Sequence, residues 1–202
     1  FEAKGAALSV MSNALLALKP WGLDRALAEA GQAMRRFWVA DAQDRLIFEC
    51  DFERLNRNLG APSVCLHRAD LQKTLLKWAE GVPLSTGSAV AGFQISPEAV
   101  HATTETKGSF EGSLLVGADG IHSRVRAQVE KDLSLAPNPV RSSGFRAWLA
   151  TIPFSHAKFP PGSVVHYWGR GCRVGLVDIG RGRLYWWITM NQALAAAMWR
   201  PW

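Results

Sequence analysis

Residues 114–126 (LLVGADGIHSRVR) have the types and spacing of a ligand-binding corner. A buried apolar strand would carry Asp119 to its carboxyl end, where open α/β sheets bind ligands. Gly120 permits a tight turn, and Ser123 can cap the helix that follows. The amides at that helix start, with two arginines close by, would suit an anion. A plain strand–turn–helix corner explains the same residues, so both interpretations stay open at this point.

A second pair of reactive side chains lies toward the end of the sequence. Arg173 and Tyr185 fall on neighbouring predicted strands with a turn between them. A buried Arg can hold an anionic or polar ring, and a Tyr hydroxyl can donate to that ring or relay its proton. The alternative is a surface Arg and a packed Tyr. We expect four tryptophans of these strands to be core residues rather than a ring-stacking wall: Trp148, Trp168, Trp186 and Trp187.

The elements that must position these residues form an α/β portion followed by a β-rich portion. Helical patterns occur at 14–19, 23–30 and 68–80. Strand patterns occur at 89–95, 98–104, 114–116, 143–152, 163–168, 172–178 and 183–190. We expect the apolar strand at 114–116 to be central in a parallel sheet. An alternating hairpin at 36–55 is expected to join the later strands rather than that first sheet.

Composition excludes several classes of function. The 202 residues carry a formal net charge of +6, but the arginines are scattered, so we expect no nucleic-acid partner. No apolar run approaches the roughly 20 residues of a membrane span, and the start does not read as a signal peptide. The 3 cysteines form no CxxC pair and the 5 histidines are dispersed. Reduced thiols, a cytoplasmic location and no metal site are therefore expected.

The sequence resembles the class A FAD-dependent aromatic monooxygenases, the para-hydroxybenzoate hydroxylase type. The Asp-Gly motif within 117–126 is the most specific match. Three other segments agree with the family in order and spacing: 4–14, 67–71 and the strands between 144 and 187. Within the family, the residues of these segments are most similar to those of the flavin-dependent urate hydroxylases. The resemblance covers nearly the whole sequence.

The resemblance implies a set of functional residues. It assigns FAD binding to Gly5, Ala6, Ala7, Leu8, Ser9, Arg68, Val90, Asp119 and Gly120. A helix dipole disfavours a cation at the helix start, so Arg68 is better explained with a phosphate or flavin oxygen opposite it. The resemblance also implies that Arg173 and Tyr185 are the catalytic residues of the substrate pocket.

The implied fold is α/β, with a partial Rossmann-like FAD-binding domain at 1–133 and a β-rich, substrate-binding layer at 134–202. The implied reaction uses NADH or NADPH and O₂ to hydroxylate a small aromatic or heteroaromatic ring. The family's Gly-x-Gly-x-x-Gly loop and its second flavin motif do not occur in these residues. We expect them to precede Phe1 and to follow Trp202, and we expect the 202 residues alone to be inactive. The alternatives are a non-catalytic fragment or binding module, and a halogenase or reductase of the same fold.

Overall fold

The structure is a computed structural model that describes residues 6–106 and 108–198. Its helices are α1 (Ser12–Leu18), α2 (Leu23–Ala30), α3 (Phe52–Leu59), α4 (Arg68–Trp78), α5 (Arg124–Asp132) and α6 (Gln192–Met198). Its strands are β1 (Ala7–Val10), β2 (Gln32–Ala33), β3 (Arg36–Asp41), β4 (Leu46–Asp51), β5 (Val64–His67), β6 (Val90–Ile95), β7 (Val100–Thr104), β8 (Ser109–Gly112), β9 (Phe145–Pro153), β10 (Ser163–Gly169), β11 (Cys172–Asp178) and β12 (Arg183–Asn191). Three sheets are described, in the strand orders β1-β5-β2, β4-β3-β10-β11-β12-β9 and β6-β7-β8.

The chain divides into two compact units. The first unit combines the residues up to Glu80 with those from Gly144 onward, and the second unit spans Gly81–Ser143. This division differs from the boundary after residue 133 that the sequence suggests. The reason is that the chain leaves the first unit after α4, forms the separate sheet β6-β7-β8 with α5, and then returns to the first unit with β9.

The six-stranded sheet of the first unit depends on one parallel pairing. Strand β3 lies beside β10, with Phe37 opposite Val164 and Val39 opposite His166. Strand β4 then pairs antiparallel with β3, as in a hairpin. The alternation of apolar and polar residues along this segment suits a sheet with one buried face. The hairpin thus lies among the later strands.

The small sheet of the first unit packs against α1 and α2. Val64 and Leu66 on β5 are fully buried with Leu15 and Leu27 of these helices. The chain crosses β5 closely at Gly31, which ends α2. A Cβ on Gly31 would lie 2.6 Å from the carbonyl oxygen of Cys65, so only glycine fits there.

In the second unit, α5 packs against β6, which is an edge strand of its sheet. The side-chain amide of Gln128 on α5 accepts from the Phe93 N–H at 2.9 Å and donates to the Phe93 carbonyl at 2.6 Å. The expectation of a central strand at 114–116 is wrong, because these residues make no ladder and Leu114 and Val116 are 76% and 73% exposed. A parallel strand needs a hydrogen-bonded neighbour, and none of the described strands is placed beside this segment.

None of the helices that the structure describes has the length and apolarity needed to cross a bilayer. Within 6–106 and 108–198, no cluster of three His, Cys, Asp or Glu side chains has the arrangement of a metal site.

The packing at Gly31 predicts that Gly31→Ala lowers the free energy of unfolding by about 1–3 kcal/mol, because the added methyl group overpacks the backbone of β5. Gly169→Ala is the matched control, since its Cβ would meet its nearest neighbour, the Cys172 carbonyl oxygen, at an ordinary 3.6 Å. We expect the control to change stability by less than about 0.5 kcal/mol. Urea unfolding of both variants measures the difference, and equal midpoints would contradict the packing account.

Candidate active site

The first unit contains a cavity of about 330 Å³ between β1 and the six-stranded sheet. Its wall is mainly apolar and aromatic. The lining residues are Leu8, Ser9, Met11, Met34, Phe37, Phe52, Val164, His166, Val177, Tyr185 and Trp187. Cavities of this size and composition hold small ring compounds, with orientation set by the few polar groups in the wall. The polar groups here are a serine, a histidine, a tyrosine and an indole N–H.

A glycine on β11 determines the shape of the cavity floor. Gly175 lies opposite His166 on β10 and opposite Trp187 on β12. A Cβ on Gly175 would lie 2.2 Å from the Trp187 ring, so the missing side chain lets the indole lie across β11. The indole thereby contacts His166 edge to face, with ring centroids 4.9 Å apart.

The His166 ring lies between two aromatic rings. Phe37 contacts it from the other side, also with ring centroids 4.9 Å apart. Burial lowers the pKa of His166, and the positive charge of Arg173 lowers it further. Both causes favour the neutral imidazole, which has one donor and one acceptor nitrogen. In the part of the chain that the structure describes, no hydrogen-bond partner of this imidazole is found.

The two residues assigned to catalysis share one face of the sheet but not one cavity. Tyr185 lines the cavity, and burial raises the pKa of its hydroxyl, so the hydroxyl keeps its proton at neutral pH. Arg173 lies farther along β11 and lines a separate depression with Trp168. Arg173 is exposed, which favours the alternative of a surface Arg over a buried cation. Trp168 is 46% exposed, so the expectation that it belongs to the core is also wrong.

The expected flavin-binding segment at the start of the chain forms β1, apart from Gly5, which lies outside the described residues. The Arg68 N–H donates to the Ala6 carbonyl at 3.1 Å, and Ala7 pairs with His67. Ala7 itself packs into the core, whereas the next two residues, Leu8 and Ser9, line the cavity.

The polar side chains beside this strand differ in whether a described residue bonds to them. The Ser9 hydroxyl contacts the buried Cys65 thiol at 3.2 Å. The Arg68 guanidinium is exposed, and no partner for it occurs among the residues described. The structure therefore brings 6–9 and Arg68 together at the start of α4.

The Asp-Gly corner lies in the second unit and is held by its own hydrogen bonds. Gly120 has φ +86°, a conformation that favours glycine. An oxygen of Asp119 accepts from the N–H of Arg124 at 2.8 Å, and Ser123 caps α5 by accepting from the N–H of Arg126 at 2.9 Å. The side-chain hydrogen bond from Ser123, and then backbone N–H groups of the helix start, lower the pKa of Asp119.

These bonds favour the plain strand–turn–helix interpretation over an anion site at the start of α5, because the first amides of the helix are already occupied. The two nearby cations are engaged as well. Arg124 pairs with Glu105 and lies 3.4 Å from the Val90 carbonyl, and Arg126 donates to the Ile121 carbonyl at 2.6 Å. Val90 and Asp119 nevertheless line one cavity of about 390 Å³ in this unit.

The sequence interpretation did not identify His166 as a site residue. A single histidine within a strand carries no motif, and its neighbours Phe37 and Trp187 come from distant segments. The alternation of residues along β10 would have assigned it to the same face as Val164. Only the pairing of β10 with β3 and β11 makes this face the wall of a cavity.

The chain is similar in sequence to proteins of known function. No profile of a known protein family matches the sequence. The chain is 35% identical over 185 residues to the aurachin C monooxygenase/isomerase of Stigmatella aurantiaca, covering 92% of this chain and 47% of that protein. It is 26% identical over 187 residues to the FAD-dependent urate hydroxylase of Klebsiella pneumoniae, covering 92% of this chain and 48% of that protein. The chain thus spans about half the length of these relatives.

A solved structure shows the same fold. The crystal structure of Klebsiella pneumoniae HpxO complexed with FAD and uric acid matches with a TM-score of 0.81 and 24% identity, over 93% of this chain and 47% of that one. A second protein, CtdE in complex with FAD and a substrate, matches with a TM-score of 0.76 and 18% identity, over 93% of this chain and 48% of that one. The 35% identity to the aurachin C monooxygenase/isomerase, over 92% of this chain, places the chain in the family of class A FAD-dependent monooxygenases.

Proposed function

We propose that the protein carrying this chain is an FAD-dependent monooxygenase that hydroxylates an aromatic or heteroaromatic ring with NAD(P)H and O₂. One observation carries the proposal. The cavity of the first unit has Leu8 and Ser9 on one wall and Tyr185 and Trp187 on another. The family resemblance assigns the first wall to the flavin, so a ring held in the cavity would lie beside the cofactor.

The residues present fit a flavin in two respects. Strand β1 presents Leu8 and Ser9 at the wall of an apolar cavity. The Arg68 guanidinium beside that strand is exposed and has no partner among the described residues. The helix start after Asp119 does not offer free amides, so it does not supply a phosphate site. We assign the Asp119 carboxylate, with Gly120 and Val90, to FAD on the resemblance alone. When bound, FAD supplies the redox chemistry, and NAD(P)H and O₂ are its co-substrates.

The side chains of the cavity would position the ring and keep water away. Phe37, Phe52 and Trp187 supply apolar surface, which leaves little room for solvent beside a bound ring. The protonated Tyr185 hydroxyl can donate to a polar atom of the ring, or pass a proton to or from it. We propose that Arg173 acts from the exposed end of the same sheet face, where its charge favours the neutral form of His166.

The partners and the cellular location that we propose follow from the chemistry of the protein. The partners are a small aromatic substrate, NAD(P)H and O₂, with no nucleic acid. All three cysteines are free thiols, and Cys65 is buried with its pKa raised by burial to about 11. A thiol of this kind is inert, and unpaired cysteines suit a reducing compartment. We therefore propose a cytoplasmic location.

Removing the Tyr185 hydroxyl is expected to damage turnover while FAD stays bound. Tyr185→Phe leaves a polar group of the substrate unpaired, which costs roughly tenfold to a hundredfold in kcat/KM. The control is Tyr167→Phe, because Tyr167 follows His166 on β10 and points to the opposite face. Arg173→Ala is expected to have a smaller effect, since the guanidinium does not line the cavity.

NAD(P)H oxidation stimulated by a phenolic ring, and the yield of hydroxylated product, are measured separately for each variant. Equal efficiency of Tyr185→Phe and wild type would contradict the assignment of Tyr185. NAD(P)H oxidation that no ring compound stimulates or couples to hydroxylation would point to the reductase alternative.

Asp119→Ala removes the carboxylate and is expected to weaken FAD retention. Asp119 also holds the start of α5, so Ser123→Ala serves as a control that loosens the same helix start without removing the charge. The control should cost about 0.5–2 kcal/mol of stability but keep its flavin. Flavin content after gel filtration, measured by absorbance, separates the two effects. Equal flavin content in both variants would show that Asp119 has only a structural role.

A further inference from the structure

Among the residues that the structure describes, none that lines the cavity of the first unit carries an ionised side chain. Its polar groups are the Ser9 hydroxyl, the His166 imidazole, the Tyr185 hydroxyl and the Trp187 indole N–H. A carboxylate that leaves water without a cation to pair with is strongly disfavoured. Arg173 does not compensate, because its guanidinium is exposed to solvent and lines a different depression. The cavity therefore suits a ring without a negative charge.

The position of the His166 ring in this wall is fixed by its neighbours. Phe37 and Trp187 contact its ring from two sides, and Gly175 leaves space for that arrangement. The Ser9 hydroxyl already contacts Cys65, whereas no described residue bonds to the imidazole nitrogens. A half-buried imidazole to which no described residue bonds is available to a ligand. In its neutral form it can donate or accept one hydrogen bond.

We propose that His166 determines substrate specificity by hydrogen bonding to a hydroxyl, carbonyl or ring nitrogen of an uncharged aromatic or heteroaromatic substrate. This inference rests on the proposed function, since it takes the cavity to be the substrate site. The hydrogen bond would fix the in-plane orientation of the ring, while Phe37 and Trp187 limit its tilt. Charged rings would be disfavoured, because no cation occurs among the described residues that line the cavity.

Three probes with one ring system test this proposal: naphthalene, 2-naphthol and 6-hydroxy-2-naphthoate. They differ in turn by one hydroxyl and one carboxylate. Dissociation constants are measured on the flavin-loaded protein by calorimetry, together with NAD(P)H oxidation stimulated by each probe. We expect wild-type protein to bind 2-naphthol more tightly than either of the other two probes.

Variants at His166 separate hydrogen bonding from packing. His166→Phe keeps an aromatic ring between its two neighbours, and we expect it to weaken 2-naphthol binding about tenfold while naphthalene binding stays unchanged. His166→Gln restores a hydrogen-bonding group and is expected to bind 2-naphthol more tightly than His166→Phe does. The control is His156→Phe, because His156 belongs to the same unit but does not line the cavity. Flavin content and thermal midpoint verify that each variant is folded.

Several results would overturn the inference. Equal losses of 2-naphthol and naphthalene binding in His166→Phe would show that His166 only packs. Wild-type binding of 6-hydroxy-2-naphthoate as tight as that of 2-naphthol would contradict the uncharged class. If Tyr185→Phe impairs hydroxylation while His166→Phe binds 2-naphthol normally, the inference fails and the proposed function stands. If flavin-loaded wild-type protein binds none of the three probes, the cavity is not a ring site and both proposals fail.

Discussion

The parallel pairing of β3 with β10 is the contact on which the first unit depends. The two strands are separated in sequence by the whole second unit, so the pair must close a very long loop. The entropic cost of loop closure grows only slowly with loop length. Specific contacts between the two strands can therefore offset it. Gly162, just before β10, supplies that specificity. Its carbonyl accepts from the Arg35 N–H at 2.9 Å and its own N–H donates to Asp178 at 2.7 Å.

The cavity is a consequence of this pairing. Phe37 comes to lie beside Val164, and His166 follows two residues later on the same face. On the other side of β10, Gly175 leaves the space that the Trp187 indole fills. Strand β1 closes the cavity through its pairing with β5, which the adjacent helices hold in the core. An aromatic wall, a neutral imidazole and a strand assigned to the flavin thus meet in one place.

Local patterns in the sequence were sufficient for much of the fold. The predicted helix at 23–30 coincides with α2, and the helix at 68–80 corresponds to α4, because amphipathic periodicity and end signals are properties of contiguous residues. Helix α3 was missed, since its eight residues follow directly on β4 within a segment dominated by the strand pattern. The apolar run at 114–116 has the pattern of a buried strand, yet a strand also requires a neighbour that no local pattern reveals.

The candidate site was less predictable than the fold. Tyr185 was identified through the family resemblance, and the structure places it in the cavity wall. Its role there stays a prediction. The exposure of Arg173 and the hydrogen bond of Asp119 to the first amide of α5 depend on side-chain geometry that residue types do not determine. His166 acquires its surroundings only from strands far apart in the sequence. It could not be recognised before the pairing of β3, β10 and β11 was known.

The cavity between β1 and the six-stranded sheet is the proposed site of the ring substrate, beside the flavin. A crystal structure of the flavin-loaded protein with bound 2-naphthol tests it most directly. The account predicts the flavin ring next to Leu8 and Ser9, and the naphthol hydroxyl within hydrogen-bond distance of a His166 nitrogen. A naphthol bound outside this cavity, or a flavin ring away from β1, would contradict the account.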